Sequence, residues 1–118
     1  MKNRKNNIKL SALVIAHNEE KNLQSCLSKL KLADEIVVIL DKTTDNSKKI
    51  ALNYTKKIFE GSWELEGKRR NFGLKKCLGD WILEIDADEH VTKGLLIEIQ
   101  NKIINAKPGY FLIPFDNF

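Results

Sequence analysis

Long apolar segments and cysteines are both scarce in this chain of 118 residues. No apolar run approaches the roughly 20 residues that a membrane-spanning helix needs. Behind the polar, basic start (residues 1–7), no apolar segment is long enough for a secretory signal peptide. The two cysteines, Cys26 and Cys77, are far apart, and neither has a second Cys or His at zinc-ligand spacing. We therefore expect a cytoplasmic protein with two free thiols and no zinc site.

Basic residues exceed acidic ones only modestly, with 20 Lys and Arg against 16 Asp and Glu and a formal net charge of +4. An excess of this size fits an anionic ligand or an acidic membrane surface. The lysines are dispersed and no aromatic-basic motif occurs, so we expect no nucleic-acid partner. The length suits one domain, which we place at residues 9–118 behind a flexible basic tail at residues 1–8.

The segment 79–89 (GDWILEIDADE) is an apolar run that ends in two aspartates, Asp86 and Asp88. Residues two apart in a strand point to the same side, so both carboxylates can aim at one point just past the end of the strand. Converging carboxylates repel each other unless a cation or a shared proton lies between them. Hard oxygen ligands of this kind suit Mg²⁺ or Mn²⁺ that also reaches a phosphate. An ordinary aspartate-rich turn is the alternative interpretation.

Two apolar runs upstream also end in polar side chains. The run 10–16 stops at His17, and the run 36–40 stops at Asp41. Because a helical pattern lies between them, the two runs predict parallel strands joined by a right-handed crossover. The two run ends and Asp86 should therefore share the sheet edge where open α/β sheets bind their ligands. Asp41 is well placed there to accept from a ribose hydroxyl or a base N–H.

Several side chains at loop ends read as helix caps. Helical patterns begin at Asn18, at Thr44 or Asp45, and at Thr92, and each residue type accepts well from the free N–H groups there. For Asp45, a role as a ligand-binding residue is the alternative. Glu19 and Glu20 suit the positive end of the first helix. Hydrogen bonding of one of these glutamates to a nucleotide is the alternative.

A basic stretch opens the helical pattern predicted over residues 68–77. The planar guanidinium of Arg69 or Arg70 suits a diphosphate. A solvated basic face is the alternative. The sequence thus offers two candidate arginines at one helix start.

Further strands are predicted at 57–59 and 110–114, which precede and follow the Glu84-containing strand along the chain. The charge of Glu84 does not fit a buried strand, and we expect it at a sheet edge or an interface. His90, beside the acidic pair, reads as a solvent-exposed turn residue, with metal ligation as the alternative.

Four motifs occur in a recognisable order, each after a predicted strand or loop: Ala-His-Asn-Glu-Glu (16–20), Asp-Lys-Thr-Thr-Asp (41–45), Gly-Lys-Arg-Arg-Asn-Phe-Gly (67–73) and Asp-Ala-Asp-Glu (86–89). Together they resemble the nucleotide-sugar-binding half of a family 2 glycosyltransferase with the GT-A fold. Within that family, the chain most resembles the lipopolysaccharide core glucosyltransferase-like branch. The resemblance runs from about Lys9 to Phe118. It implies an α/β, Rossmann-like domain with a mostly parallel sheet flanked by helices.

The resemblance also implies roles for individual residues in binding a nucleotide sugar. Ala16, His17 and Glu19 match the first nucleotide-binding loop, with Glu19 near the base or ribose. Asp41 would contact the base or ribose. Arg70 would lie near the donor diphosphate.

Asp86 and Asp88 match the Asp-x-Asp motif of the family. That motif holds a divalent metal, Mg²⁺ or Mn²⁺, together with the ribose and phosphates of the donor. Leu40 and Lys42 depart from the acidic and small residues that often flank the position of Asp41. This departure leaves the base specificity open.

The activity implied by the resemblance is metal-assisted, inverting transfer of a sugar, in first place from a UDP-sugar, to a glycan or lipid-linked acceptor. The acceptor half of the family is expected beyond the end of this sequence, so no catalytic base is assigned, and Asp116 is a weak candidate for it. Contact with the inner face of a membrane and self-association through an open last strand are further expectations. A catalytically incomplete nucleotide-sugar-binding or assembly module is the alternative, followed by an aspartate-dependent phosphotransferase.

Overall fold

The computed structural model of the chain describes residues 8–104 and 109–112. Strands and helices alternate along this part of the chain. The elements are β1 (Leu10–Ala16), α1 (Glu20–Ser28), β2 (Glu35–Asp41), α2 (Ser47–Ala51), β3 (Ile58–Gly61), α3 (Glu66–Lys76), β4 (Trp81–Asp86), α4 (Lys93–Ile103) and β5 (Gly109–Leu112). This alternation confirms the α/β class predicted from the sequence.

The strands form one parallel sheet in the order β3-β2-β1-β4-β5. Val14 in β1 pairs with Val38 in β2 on one side and with Ile85 in β4 on the other. The chain order reverses at β1, since the first three strands run outward in one direction and β4 returns to the other side. Ligands of open α/β sheets bind at this reversal, outside the carboxyl ends of the strands.

Strands β1 and β2 are buried along their whole length, which explains their continuous apolar sequences. The larger core cluster lies between the sheet and helices α1, α2 and α4, and includes Val14, Leu27 and Leu96. A smaller cluster lies on the opposite face under α3, with Leu13 and Ile39 at its centre. Alternate residues of β1 therefore serve the two clusters, as the two-residue period of a strand requires.

A buried polar network ties the amino ends of the strands together. The Glu35 carboxylate accepts from Ser11 Oγ at 2.5 Å, from the Leu78 N–H at 2.6 Å and from Lys57 Nζ. Burial raises the pKa of Glu35, but the bonds from Leu78, Lys57 and Ser11 outweigh it and hold the pKa below its usual value. Gly79 donates to Ser11 Oγ at 2.8 Å. A Cβ at position 79 would stand 2.6 Å from that oxygen, so only glycine fits.

The predicted strand at 57–59 is confirmed as β3, the Thr92 cap is confirmed by a 3.0 Å bond from the Leu95 N–H, and both cysteines are free thiols. The expectation that Glu84 lies at an edge or interface is wrong. Its strand, β4, pairs with β1 on one side and with β5 on the other. Glu84 is buried there and accepts from Arg70 Nε at 2.9 Å. A charged partner on α3, rather than solvent, accounts for this residue.

The predicted basic tail, apart from its last residue, lies outside the described residues, as do Asp116 and the predicted last two residues of the strand at 110–114. Within the described ranges, none of the helices has the length and apolar character needed to span a bilayer.

Candidate functional site

The candidate site lies where β2, β1 and β4 end side by side. Ala16 is the last residue of β1, Asp41 the last of β2 and Asp86 the last of β4. Ile15 pairs with Asp86, and Ala16 pairs with Leu40. The polar ends of β2 and β4 therefore flank the end of β1, as predicted from the crossover pattern.

The acidic pair projects from the end of β4 into solvent. Asp86 and Asp88 are both exposed, and Ala87 between them is buried. Glu89 closes the turn, because its carboxylate accepts from the Asp86 N–H at 2.8 Å and its N–H donates to the Asp86 carbonyl at 2.9 Å. The two exposed carboxylates therefore lie at the turn that directly follows β4.

The carboxylates in this turn repel one another. Partial burial and the negative charge of Asp88 raise the pKa of Asp86, and Arg69 opposes this shift. Burial, together with Asp86 and Asp88, also raises the pKa of Glu89. Negative charge concentrated in this way is relieved by a cation.

The donor set fits a hard divalent cation that takes only part of its shell from the protein. Among residues 8–104 and 109–112, no three His, Cys, Asp or Glu side chains are grouped closely enough to enclose a metal ion. Mg²⁺ is commonly bound by one or two carboxylates, with water and substrate phosphates as the remaining ligands. Asp86 and Asp88 offer such a pair of carboxylates.

Asp41 lies at the wall of a pocket of about 340 Å³ between β2, the β3–α3 loop and α3. Its side chain is 8% exposed. One carboxylate oxygen accepts from the Trp63 N–H at 3.1 Å, and the other accepts from Arg69 Nη1 at 3.0 Å. His17 Nδ1 lies 2.8 Å from the Asp41 carbonyl and joins the ends of β1 and β2. Glu66 also lines the pocket.

The loops after β1 and β2 are bonded to each other. Asn18 has a left-handed backbone (φ 50°), and its Oδ1 accepts from the N–H groups of Thr44 at 2.7 Å and Asp45 at 3.2 Å. The prediction that Asn18 caps α1 is therefore wrong. Asp45 accepts from the N–H groups of Glu20 at 3.1 Å and Ser47 at 3.0 Å, the first residues of α1 and α2, although the N-cap position of α2 is taken by Asn46. Asp45 reaches the first turns of both α1 and α2.

The two adjacent arginines of α3 face different partners. Arg69 bonds to Asp41 at the end of β2, whereas Arg70 bonds to Glu84 in the middle of β4. Consecutive residues on a helix point about 100° apart, which separates them. Arg70, predicted near the diphosphate, is thus bonded to the sheet through its Nε atom.

Two other candidate residues, Glu19 and His90, stand beside helix α1. Glu19 immediately precedes α1, and its carboxylate accepts from Asn22 Nδ2 at 2.9 Å. His90 Nδ1 lies 3.0 Å from Lys29 Nζ and 3.3 Å from Ser25 Oγ on α1. Both side chains therefore contact the first helix.

Sequence reasoning missed Trp63 and Glu66 as pocket residues and left Arg69 and Arg70 as alternatives. Trp63 stands in a loop with no periodic pattern, so its sequence position carries no signal of its role. Its ring packs on Phe72 with 5.3 Å between the ring centroids. This packing fixes the loop, and with it the N–H that bonds to Asp41.

The open parallel sheet flanked by helices has the GT-A fold, as its match to solved glycosyltransferase structures shows. The sequence model of glycosyl transferase family 2 matches residues 11–117. The chain belongs to this family.

Relatives and solved structures agree with this assignment. Lipopolysaccharide core biosynthesis glycosyltransferase LpsC from Rhizobium meliloti is 31% identical over 91 residues, which make up 73% of this chain and 34% of that protein. The crystal structure of TarS from Staphylococcus aureus matches with a TM-score of 0.65 and 28% identity, over 80% of this chain and 32% of that chain.

The fold is also shared with glucosyl-3-phosphoglycerate synthase from Mycobacterium tuberculosis, crystallised with Mn²⁺, UDP and glucosyl-3-phosphoglycerate. That structure matches with a TM-score of 0.67 and 18% identity, over 85% of this chain and 41% of that chain. This chain spans about a third of the length of the curated relatives it matches.

Proposed function

We propose that this chain is the donor-binding part of a glycosyltransferase that uses a nucleoside-diphosphate sugar, in first place a UDP-sugar. The acceptor is a hydroxyl of a glycan or a lipid-linked glycan, and the transfer inverts the anomeric centre. The observation that carries this proposal is the pair of acidic strand ends, Asp41 on β2 and Asp86 on β4, that flank the end of β1. The end of β2 suits the nucleoside, and the end of β4 suits a metal-bound diphosphate.

The nucleoside end is proposed at the pocket beside β2. A 340 Å³ pocket lined by His17, Asp41 and Trp63 offers a carboxylate, an imidazole and an aromatic side chain. Ala16, at the end of β1, and Glu19, in the loop that follows it, are assigned to the nucleotide as well. These groups suit a base and ribose, which need polar groups in a partly apolar pocket.

The diphosphate end is proposed at Asp86 and Asp88, whose carboxylates would hold a divalent cation, Mg²⁺ or Mn²⁺. The raised pKa of Asp86 supports a cation there, because the mutual repulsion of the acidic groups is relieved when one binds. A bound cation supplies Lewis-acid stabilisation of the leaving diphosphate. The synthase from M. tuberculosis, which shares the fold, was crystallised with Mn²⁺ and UDP.

The reaction is a direct displacement at the anomeric carbon. The acceptor oxygen forms the new bond, the bond to the diphosphate oxygen breaks, and the nucleoside diphosphate departs with the electron pair. The hydroxyl proton passes to a general base. Asp86 and Asp88 orient the leaving group, while the pocket residues hold the nucleoside. The name of LpsC, a lipopolysaccharide core biosynthesis glycosyltransferase, favours a lipid-linked glycan as the acceptor. Such an acceptor would place the reaction at a membrane surface.

Calorimetric titration of UDP into the 118-residue chain, with and without Mn²⁺, tests the proposal. We expect UDP to bind more tightly when Mn²⁺ is present. Asp88→Asn should remove this metal dependence and weaken binding by at least about tenfold, as the loss of a direct metal ligand does. Because Asp88 is exposed, the circular dichroism spectrum and melting temperature should not fall.

Asp80→Asn is the matched control. Asp80 is exposed before the start of β4, and its carboxylate is 3.7 Å from Lys9 Nζ. The substitution removes the same charge far from the carboxyl ends of the strands, so UDP binding should stay as in the parent. Equal affinity for UDP and Mn²⁺ in Asp88→Asn and the parent contradicts the metal site. Failure of UDP, GDP, ADP and CDP alike contradicts the donor site, and turnover of a UDP-sugar separates an enzyme from a binding module.

A further inference from the structure

Arg69 carries a guanidinium whose hydrogen-bonding capacity is only partly used. Its side chain is 22% exposed, and Nη1 donates to Asp41 at 3.0 Å. Nη2 is 3.8 Å from the exposed carboxylate of Glu66, too far for a hydrogen bond. Nε is buried and has no hydrogen-bond partner among the described residues. A buried charged donor without a partner is costly, so the described residues satisfy this guanidinium only in part.

Arg69 lines the pocket at the end of β2, together with Asp41 and His17. Its Nη1 lies 3.0 Å from the Asp41 carboxylate, so the guanidinium stands at the sheet edge where β2, β1 and β4 end. A ligand seated in this pocket therefore lies close to this cation.

We propose that Arg69 binds the diphosphate of the donor, and that Asp41 is the positioning residue that holds its guanidinium in place. This inference rests on the proposed function. It assigns the diphosphate to Arg69 instead of Arg70, and it gives Asp41 a role through Arg69 in addition to any contact with the base or ribose.

The geometry of a guanidinium suits this double role. One arm of the fork bonds to Asp41, while the remaining N–H groups can donate to phosphate oxygens. Both oxygens of Asp41 already accept a bond, from Trp63 and from Arg69. The neighbouring Arg70 bonds through Nε to Glu84, so that nitrogen is occupied on β4.

Comparing the affinities for UDP and uridine separates the contribution of the diphosphate to binding from that of the nucleoside. Both ligands would be titrated with Mn²⁺ present, using ligand-detected NMR because it reaches millimolar Kd values. We expect Arg69→Gln to weaken UDP binding about tenfold or more, as the loss of a charge-assisted hydrogen bond does. Uridine binding should change by less than about twofold, since uridine has no phosphate.

Lys68→Gln is the matched control, because Lys68 lies one residue away on α3, is exposed and loses the same charge. It should bind both ligands as the parent does. Arg69→Lys guards against misfolding, since it keeps a cation beside Asp41. A lysine ammonium that bonds to Asp41 has no second nitrogen to donate to a phosphate. This variant should therefore keep the parent's affinity for uridine and lose several-fold in affinity for UDP. Melting temperatures of all variants report their folding.

The outcomes distinguish this inference from the proposal beneath it. Unchanged UDP affinity in Arg69→Gln or in Arg69→Lys overturns the role of Arg69 and leaves the donor site standing. An equal loss for UDP and uridine also overturns it, because Arg69 would then act on the nucleoside pocket. A parent chain that binds no nucleoside diphosphate contradicts the proposed function, and this inference with it.

Discussion

Arg70 Nε donates to Glu84 Oε2 at 2.9 Å, which joins helix α3 to the middle of strand β4. The Glu84 side chain is 9% exposed, whereas that of Arg70 is 41% exposed. The pair therefore places a buried carboxylate in the sheet and a half-exposed guanidinium above it. A buried charge needs such a partner, and the partner in turn fixes α3 on this face of the sheet.

We expect Arg70→Ala to lower the free energy of unfolding by about 1–2 kcal/mol, because Glu84 loses a charged partner. The loss stays moderate because water can enter the space that the half-exposed Arg70 side chain leaves and hydrate the Glu84 carboxylate. Adding Glu84→Gln to Arg70→Ala should recover part of this loss, since the buried charge is then removed as well. Urea denaturation followed by circular dichroism measures both changes. Lys75→Ala, an exposed position on the same helix, is the control and should change stability little. A double variant less stable than Arg70→Ala alone would contradict this account.

Much of the site could be predicted from strand ends alone. Continuous apolar runs identified β1, β2 and β4, and the parallel crossover rule then placed Asp41 and Asp86 at one sheet edge. The Thr92 cap followed from its position before an apolar stripe. These features depend on local sequence and on a general rule of chain topology, so no knowledge of side-chain contacts was needed.

The pairing of charged side chains could not be predicted in the same way. Whether Arg69 or Arg70 faces the end of β2 depends on the rotation of α3 over the sheet, which a basic stretch in the sequence does not specify. Asn18 stood before a helix, yet its side chain bonds across to the β2–α2 loop. Contacts between segments distant in sequence decided each of these cases, and they depend on the packed fold.

The buried carboxylate of Glu35 should make stability depend on pH. Because the pKa of Glu35 is lowered in the folded chain, its contribution is present above the unfolded value of about 4.3. That contribution is lost as the pH falls through the lowered value. We expect the urea midpoint of the parent to fall as the pH drops below about 4.5, and Glu35→Gln to show a weaker fall from a lower starting stability.

Glu98→Gln provides the control for this pH dependence. Glu98 is exposed on α4, far from the network at the amino ends of the strands. Its substitution should leave the pH profile close to that of the parent. A Glu35→Gln profile parallel to that of the parent would show that another group governs the acid sensitivity.

Asn18 should matter for the shape of the donor site as well as for stability. Asn18→Ala removes the acceptor of the Thr44 and Asp45 N–H groups and places an alanine at φ 50°. We expect a loss of about 1–2 kcal/mol in unfolding free energy, from the bonds and from the left-handed backbone. Asn18→Gly tolerates that backbone, so it should lose less stability than Asn18→Ala.

Both Asn18 variants should weaken UDP binding with Mn²⁺ by a similar factor, because each one frees the β2–α2 loop from the end of β1. Asn101→Ala is the control, since Asn101 is exposed on α4 and belongs to neither of the two loops. It should leave UDP affinity unchanged. Calorimetry of the three variants beside their urea denaturation separates the two effects. If Asn18→Gly binds UDP as tightly as the parent, the bonds between the loops stabilise the chain without shaping its donor site.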